Sequence, residues 1–256
     1  MADFRNFPNR ATGAQSGAVI DEGLRSYMLK VYNLMALGLV LTGVAAYALI
    51  ALTTTTDPTQ AAANFHGVML TSAGVAVYGS PLKWVIMLAP LAAVFFLSFR
   101  INNMSVSAAR TTFMVYAGLV GLSLSSIFLV YTTGSVVQTF FITAAAFGAL
   151  SLYGYTTKRS LSAMGSFLMM GLFGIIIASV VNIFMQSSAL QFAISAIGVL
   201  VFAGLTAYDT QRIKELYFEA DDDVVAGRKA IMGALTLYLD FINLFMFLLQ
   251  FMGNRK

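Results

Sequence analysis

The chain has 256 residues, of which 59% are hydrophobic and 10% are charged, and its formal net charge is +4. Soluble domains carry about 25% charged residues, so this chain has too few to cover a surface that faces water. The composition therefore predicts an integral membrane protein with one helical bundle. Because the chain has no cysteine, disulfides, thiol catalysis and thiolate metal sites are excluded. No basic and aromatic pattern indicates nucleic acid binding.

Residues 1–26 are polar, and we expect a cytoplasmic N-terminal tail there, followed by a transmembrane domain over residues 27–256. We expect no cleavable signal, because the first apolar run is long enough to direct its own insertion. A helix needs about 20 apolar residues to cross the bilayer core. Seven segments are predicted to span, and in chain order they are Val31–Leu52, Leu82–Phe99, 111–131, 136–157, 163–185, 189–208 and Ala230–Gly253.

The boundaries between these segments come from breaks in long uncharged runs. Residues 111–157 are too long for one helix, and the turn residues 132–135 divide them. Residues 160–208 divide in the same way at residues 186–188. Pro90 is predicted to kink the second segment. Small residues at four-residue spacing, such as Ala144 and Gly148, are predicted to let helices approach closely.

The first two segments are separated by a long connection, residues 53–81, which contains Asp57 and the single histidine, His66. Gly67–Gly79 is mildly apolar but too short to span, so an interfacial position is predicted. His66 has no metal-ligand partner at helical spacing, and we expect it to be an external loop residue.

The lysines and arginines predict the orientation of the chain. Of the 15 basic residues, all but Lys83, Arg255 and Lys256 fall in the N-terminal region and in loops on one side. The positive-inside rule places this side in the cytoplasm. If the seventh segment spans, the last two basic residues lie outside; if it re-enters, they stay inside. The length of Ala230–Gly253 favours a full span.

Two of the 11 acidic residues, Asp209 and Asp240, close or interrupt long apolar segments, whereas the others lie in polar stretches. An acid at the centre of a membrane helix costs about 2.5–3.5 kcal/mol, so it is usually retained for function. Asp240 is the deeper of the two, and Asn243 lies one turn later on the same face. The structural interpretation makes Asp240 a hydrogen-bonding anchor and Asp209 an interfacial acid that Arg212 or Lys214 balances.

A functional interpretation requires that the two carboxyl groups share one cavity. Two such groups in an apolar site cannot both ionise cheaply, so they either share a proton or bind a hard cation. The depths conflict, however, since Asp240 lies about 16 Å along a helix from Lys229, whereas Asp209 is near the surface. Pairing requires an inward shift of segment six, a later entry of segment seven, or a water-filled vestibule.

Three sequence strings carry a resemblance to a known family. They are FGALSLYGYTTK at residues 147–158, TAYDTQRIK at residues 206–214 and LTLYLDFINLF at residues 235–245. With these strings the sequence resembles a bacterial member of the Bax inhibitor (transmembrane Bax inhibitor motif) family, from about residue 25 to the C-terminus. The resemblance implies an all-α integral membrane protein with seven transmembrane helices, six of them wrapped around a central C-terminal helix.

The resemblance also implies a pH-sensitive calcium leak channel in a bacterial inner membrane. Its gate and cation site would be a hydrogen-bonded pair formed by Asp209 and Asp240, with Arg100 as the partner of the gate. Calcium would be the transported ion, and no cofactor is expected. Three further residues are predicted to line the pathway, namely Asn243, Tyr208 and Tyr238.

A different class of function remains open. Some bacterial relatives associate with a membrane-bound AAA protease, so the chain could be a non-conducting interaction protein that acts through helix packing and the loop 209–229. The family often has an acid shortly after the Thr-Lys of the first string, whereas Ser160 follows Arg159 here. A cytoplasmic contact through that acid is therefore not predicted for this chain.

Other kinds of site fit the sequence less well. An intramembrane aspartyl protease would share Tyr208-Asp209, but its second aspartate follows a Gly-x-Gly turn that is absent before Asp240. A retinal protein needs a lysine in its last helix, and residues 230–254 contain none. The run Asp221–Asp223 lacks the alternating ligands of an EF-hand. We therefore expect a protein that is not an enzyme.

Overall fold

The computed structural model describes the backbone of residues 9–65 and 67–256, and the side chains of these residues from Glu22 onward. The first eight residues of the predicted tail and His66 lie outside the described residues. The predicted end of the tail at residue 26 falls inside a continuous first helix, which begins at Asn9.

Helices dominate the described chain, and seven of them are long and apolar enough to cross a membrane. The elements in chain order are α1 (Asn9–Thr53), β1 (Thr54–Thr55), β2 (Ala63–Phe65), β3 (Val68–Leu70), α2 (Ser72–Tyr78), α3 (Leu82–Arg100), a 3₁₀ turn (Ile101–Asn103), α4 (Val106–Leu124), α5 (Ile127–Val130), α6 (Thr133–Thr156), α7 (Ser162–Met185), α8 (Ser188–Glu215) and α9 (Asp223–Met252). The membrane-length helices are α1, α3, α4 with α5, α6, α7, α8 and α9. The prediction of an all-α membrane protein with seven spans is confirmed.

Capping side chains fix several helix boundaries. Thr132 Oγ1 accepts from the backbone N–H of the third residue after it, at the start of α6, and Ser187 Oγ does the same for α8. Gln186 ends α7 in the left-handed conformation, with φ 49°. Both breaks predicted in the uncharged runs are therefore true helix ends.

The connection between α1 and α3 contains a small sheet that the sequence did not predict. The strands pair antiparallel in the order β1-β3-β2. Gly67, between β2 and β3, has φ 82°, which costs glycine little, and its N–H donates to Asn64 Oδ1 at 3.0 Å. The following helix α2 has seven residues, too few to span a bilayer.

The last helix, α9, is the most buried of the membrane helices. It packs against α1, α4, α6 and α8. The main partner of α3 is α4, and the main partner of α7 is α8. Four helices therefore surround α9 directly while α3 and α7 lie at the periphery, so the arrangement of six helices around a central one is not reproduced in full.

Close packing between α6 and α8 occurs at a different glycine from the one predicted. A Cβ at Gly148 would meet no atom within 4 Å, so this position is not a close approach. A Cβ at Gly154 would instead clash with the carbonyl oxygen of Ala207. The glycine of α6 that admits the backbone of α8 is Gly154, and its neighbour Ala207 lies two residues before Asp209.

The C-terminus lies at the opposite end of the bundle from the start of α9. Asn254 O accepts from the N–H of Thr132 at 3.0 Å, beside the connection between α5 and α6. At the other end, Arg228 Nε donates to Met104 O at 2.9 Å, beside the connection between α3 and α4. Helix α9 therefore runs the whole length of the bundle, as the favoured prediction of a full span required.

Candidate functional site

The two acids of interest lie on α8 and α9, which pack antiparallel. At one end of this helix pair, Gln191 Nε2 donates to Gln250 Oε1 at 2.8 Å. Further along, the absence of a side chain at Gly198 makes room for the ring of Phe247. These contacts set the register that brings the side chains of the two acids near each other.

The conflict in depth is resolved by the length of α8. The helix continues past Asp209 to Glu215, and Lys229 Nζ donates to Leu216 O at 3.1 Å. The end of α8 is thus level with Lys229. From that level Asp209 lies about 10 Å along its helix and Asp240 about 16 Å along its own. Two aspartate side chains and modest helix tilt cover the remaining 6 Å or so.

The carboxyl groups of Asp209 and Asp240 are neighbours, close enough to interact through their side chains. Asp240 is buried, with 4% of its surface exposed, and Asp209 is partly buried. Among the described residues, Asp240 Oδ2 is buried and has no hydrogen-bond donor. Because ionised carboxylates are acceptors only, a hydrogen bond can form between the two groups only while one of them carries a proton.

Basic groups near Asp209 do not form a close ion pair with it. The described residues contain one salt bridge, between Lys229 and Asp221. The charge of Arg212 acts on Asp209 from a distance, and Arg212 itself is exposed. Lys214 Nζ donates to Tyr155 O at 2.8 Å. The structural interpretation is thus supported in one part: the charge of Arg212 acts on Asp209, whereas Lys214 is engaged with Tyr155.

The acid pair lines a cavity of about 570 Å³ between α7, α8 and α9. Its polar lining includes Thr236, Asn243 and Ser179 beside the two acids. The rest of the wall is aliphatic and aromatic. The site therefore consists of two neighbouring carboxyl groups at the edge of an apolar space, with hydroxyl and amide groups near them.

The same chain matches the sequence model of a family described as inhibitor of apoptosis-promoting Bax1, over residues 24–256. The chain belongs to the Bax inhibitor family. It is 48% identical to an uncharacterized protein of Rickettsia prowazekii, across 98% of this chain and 99% of that protein. It is 44% identical to a protein of Caulobacter vibrioides over the full length of both. It is also 46% identical to the inner membrane protein YbhL of Escherichia coli, across 91% of this chain and 94% of YbhL.

In this Bax inhibitor family member, the residues predicted to line a pathway lie in different places, and not all of them line the cavity. Asn243 lines the cavity and donates to Leu239 O at 2.8 Å through Nδ2, which leaves its carbonyl oxygen available. Tyr208 does not belong to the cavity wall. Its ring packs instead against Gly165 of α7, where a Cβ would clash with it.

Tyr238 lies on the other side of α9 from the cavity and is fully buried. Its ring makes edge contacts with Phe113 and Tyr116 of α4, and its hydroxyl group lies 2.6 Å from Thr42 Oγ1 of α1. The expectation that Tyr238 lines a pathway beside Asp240 is corrected: Tyr238 belongs to the packed core.

Arg100 does not contact Asp209 or Asp240 in the described structure. It ends α3, a peripheral helix, and its side chain is exposed. Within the described part of the chain, neither a salt bridge nor a hydrogen bond links Arg100 to Asp209 or Asp240. The arrangement implied by the family resemblance, with an arginine on the gate, is therefore absent here.

A cluster of amide side chains at the far end of the same helices was not predicted. Asn182 Nδ2 donates to Gln191 Oε1 at 3.1 Å, and Gln250 Oε1 accepts from Gln191 and, at 3.4 Å, from Ser195. The cluster joins α7, α8 and α9. Its signal in the sequence was the presence of glutamine inside two apolar spans, Gln191 and Gln250.

The aspartates at the start of α9 have structural contacts. Asp222 Oδ1 accepts from the N–H of Val225 at 2.6 Å and caps the helix, and Asp221 pairs with Lys229. Across the described residues, no group of three or more histidine, cysteine or acidic side chains is placed to hold a metal ion. Any cation at the acid pair would thus need oxygens besides these two carboxyl groups.

Proposed function

We propose that this protein is a cation leak channel, with calcium as its ion, that opens and closes with the protonation of Asp209 and Asp240. The observation that carries the proposal is the placement of two neighbouring carboxyl groups at the wall of one cavity, in an otherwise uncharged part of the bundle. An apolar helix seldom retains such acids without a function. The family resemblance supports the same role.

The shared proton accounts for the direction of the pH response. While one proton lies between Asp209 and Asp240, the two groups attract each other and hold α8 against α9. When the pH rises and the proton leaves, two negative charges in an apolar site repel each other. The same loss of a proton creates a site of hard carboxylate oxygens, which calcium prefers. Conduction therefore increases with pH and decreases with acid.

The groups near the pair suit a passing cation better than a resident one. Asn243 and Thr236 each place a neutral oxygen on the cavity wall, whereas calcium sites of high affinity use six to eight oxygen ligands. A few weak oxygens allow the ion to enter and to leave. The charge of Arg212 near Asp209 further lowers the affinity for a cation at rest.

The location follows from the relatives and the basic residues. YbhL is an inner membrane protein, and we propose the same bacterial membrane for this chain. The loops that contain Arg159 and Lys214 would lie in the cytoplasm with the N-terminus. The acid pair is then nearer the cytoplasmic face, and the C-terminal Lys256 lies outside.

The test is calcium uptake into lipid vesicles that contain the purified protein, measured across a series of pH values. We expect uptake to increase with pH for the wild type and to be low and independent of pH for Asp240→Asn. Asp57→Asn is the matched control, because Asp57 lies in the exposed loop before β2, and it should behave as wild type. If Asp240→Asn keeps the wild-type pH profile, the gating role is wrong.

One observation favours a second function, that of a non-conducting protein that modulates a membrane-bound AAA protease. The loop between α8 and α9 exposes apolar side chains, Leu216 and Phe218, which could contact a partner. Affinity capture of the protease by the wild type and by Phe218→Ser would test this. Capture that depends on Phe218, together with no calcium uptake by the wild type, would favour the second function.

A further inference from the structure

The cavity beside the acid pair is elongated, with polar side chains at one end and mostly apolar side chains along the rest. On α7 its wall extends from Met169 to Ile183, a length of about 21 Å along the helix. The acids Asp209 and Asp240 lie on the wall toward the basic end of the bundle, and beyond Asn243 the wall is almost entirely apolar. The space thus has one polar end and one long apolar arm.

The apolar arm opens sideways to the outer surface of the bundle. Three residues of its α7 wall, Ile176, Val180 and Ile183, are 50%, 51% and 69% exposed. Helix α7 has α8 as its main partner, so α7 and α9 face each other across the cavity without close packing. In a membrane this opening would face hydrocarbon, and a molecule dissolved in the bilayer could enter through it.

At the polar end, the buried carboxyl group of Asp240 lacks, within the described chain, a hydrogen-bond donor for its Oδ2 atom. Asp240 is 4% exposed, and none of the described groups donates a hydrogen bond to its Oδ2 atom. Buried oxygens of this kind gain most from a charged donor. A primary ammonium group carries one positive charge and three N–H donors, enough to reach both Asp209 and Asp240 at once.

We propose that the groove between α7 and α9 is a binding site for amphipathic primary amines, which place the ammonium group between Asp209 and Asp240 and the alkyl chain along the apolar arm. The positive charge of the amine complements the acid pair. The alkyl chain of the amine replaces lipid contacts on α7 and on Phe247. This binding does not require that the protein conducts ions. If it does conduct, a bound amine blocks the passage at the acid pair.

The experiment uses the full-length protein in lipid vesicles and a dodecylamine probe with a photoreactive diazirine at the end of its chain. After illumination, labelled peptides are mapped by mass spectrometry. The expected labels are on the distal wall, at Val180, Ile183 or Phe247. Unlabelled dodecylamine should compete with them, and the same diazirine chain with a hydroxyl head group should label these sites about tenfold less, the effect of one charged hydrogen bond.

Variants of the two acids test whether labelling depends on the contact between the ammonium group and the acid pair or only on exposure of the groove to lipid. Asp240→Asn and Asp209→Asn should each reduce amine labelling to the level of the alcohol probe, and Asp57→Asn should leave it at the wild-type level. Equal labelling of the wild type by amine and alcohol overturns the proposal, because the groove then accepts any lipid chain, and this comparison needs no variant. The labels are read without any flux measurement, so a failure of the amine site and a failure of the channel function are distinguishable.

Discussion

Thr42 on α1 and Tyr238 on α9 place their hydroxyl oxygens 2.6 Å apart in the interior of the bundle. Thr42 Oγ1 also lies 2.9 Å from the carbonyl oxygens of Gly38 and Ala117, so its own proton goes to one of these. Tyr238 is therefore the donor to Thr42. The contact joins α1, α4 and α9 through one hydroxyl group, on the side of α9 that faces away from the acid pair.

Removing this donor should lower stability without altering ion movement. Tyr238→Phe loses one buried hydrogen bond, and we expect a decrease of about 1 kcal/mol in the free energy of unfolding. Thermal unfolding in detergent measures this decrease, and calcium uptake by the same sample should retain its wild-type pH profile. A changed pH profile would place Tyr238 in the pathway after all.

The close approach of α6 and α8 predicts opposite effects for two glycines of one helix. In Gly154→Ala the new methyl group meets the carbonyl oxygen of Ala207, and because backbone cannot turn aside, we expect a loss of about 1–3 kcal/mol. Gly148→Ala adds a methyl group in open space and should be neutral or stabilising by up to about 1 kcal/mol. Thermal unfolding of both variants under one condition compares them directly, and equal effects would contradict the packing described here.

Substitutions at Asp209 should separate charge from hydrogen bonding. In Asp209→Asn the amide donates to Asp240 at every pH, so we expect low calcium uptake that no longer varies with pH. In Asp209→Ala the buried oxygen of Asp240 loses its partner, which should destabilise the fold by about 1–3 kcal/mol. Uptake and thermal unfolding are both measured, with Asp57→Asn as the control for uptake. A wild-type pH profile in both Asp209 variants would be incompatible with gating by the pair.

The loop before β2 offers a pH prediction that is independent of the membrane. Hydrogen bonds from the side chain and then the backbone of Thr59 hold the pKa of Asp57 below its ordinary value of 3.8. A lowered pKa means that the ionised form stabilises this turn above pH 3.8 and that the stabilisation is lost as the pH falls through the lowered pKa. Thr59→Val removes the hydroxyl donor and should raise the pKa of Asp57 toward 3.8, as measured by NMR of labelled aspartate carboxyl groups. An unchanged pKa would show that the backbone donor alone is responsible.

The sequence was sufficient to predict the number of spans and to single out Asp209 and Asp240 as the acids within apolar segments, because both depend on hydropathy. It also located the helix ends at residues 132 and 187, where capping residues interrupt long apolar runs. It did not indicate the sheet between α1 and α3, since its strands have two or three residues. Which of the other helices lie beside α9 and which lie at the periphery was not distinguishable, because lipid-facing and core-facing side chains are equally apolar.

The orientation of the tyrosines could have been derived with helical geometry. Each residue turns a helix by about 100°, so Tyr238 and Asp240 point about 200° apart and cannot both face one cavity. Asn243, three residues after Asp240, lies on nearly the same face and does line the cavity. The position of Arg100, in contrast, depends on how α3 packs against its neighbours, and no local pattern encodes that.

Both members of the acid pair belong to consecutive helices that a short loop connects, at residues 216–222. A helical hairpin of this kind can leave the translocon as one unit, so that each acid enters the membrane beside the other and not beside lipid alone. The burial of Asp240 then depends on synthesis order, since Asp209 has emerged from the ribosome before its partner arrives. Separating the two halves by a long flexible insertion in this loop would expose each acid to lipid alone during biogenesis.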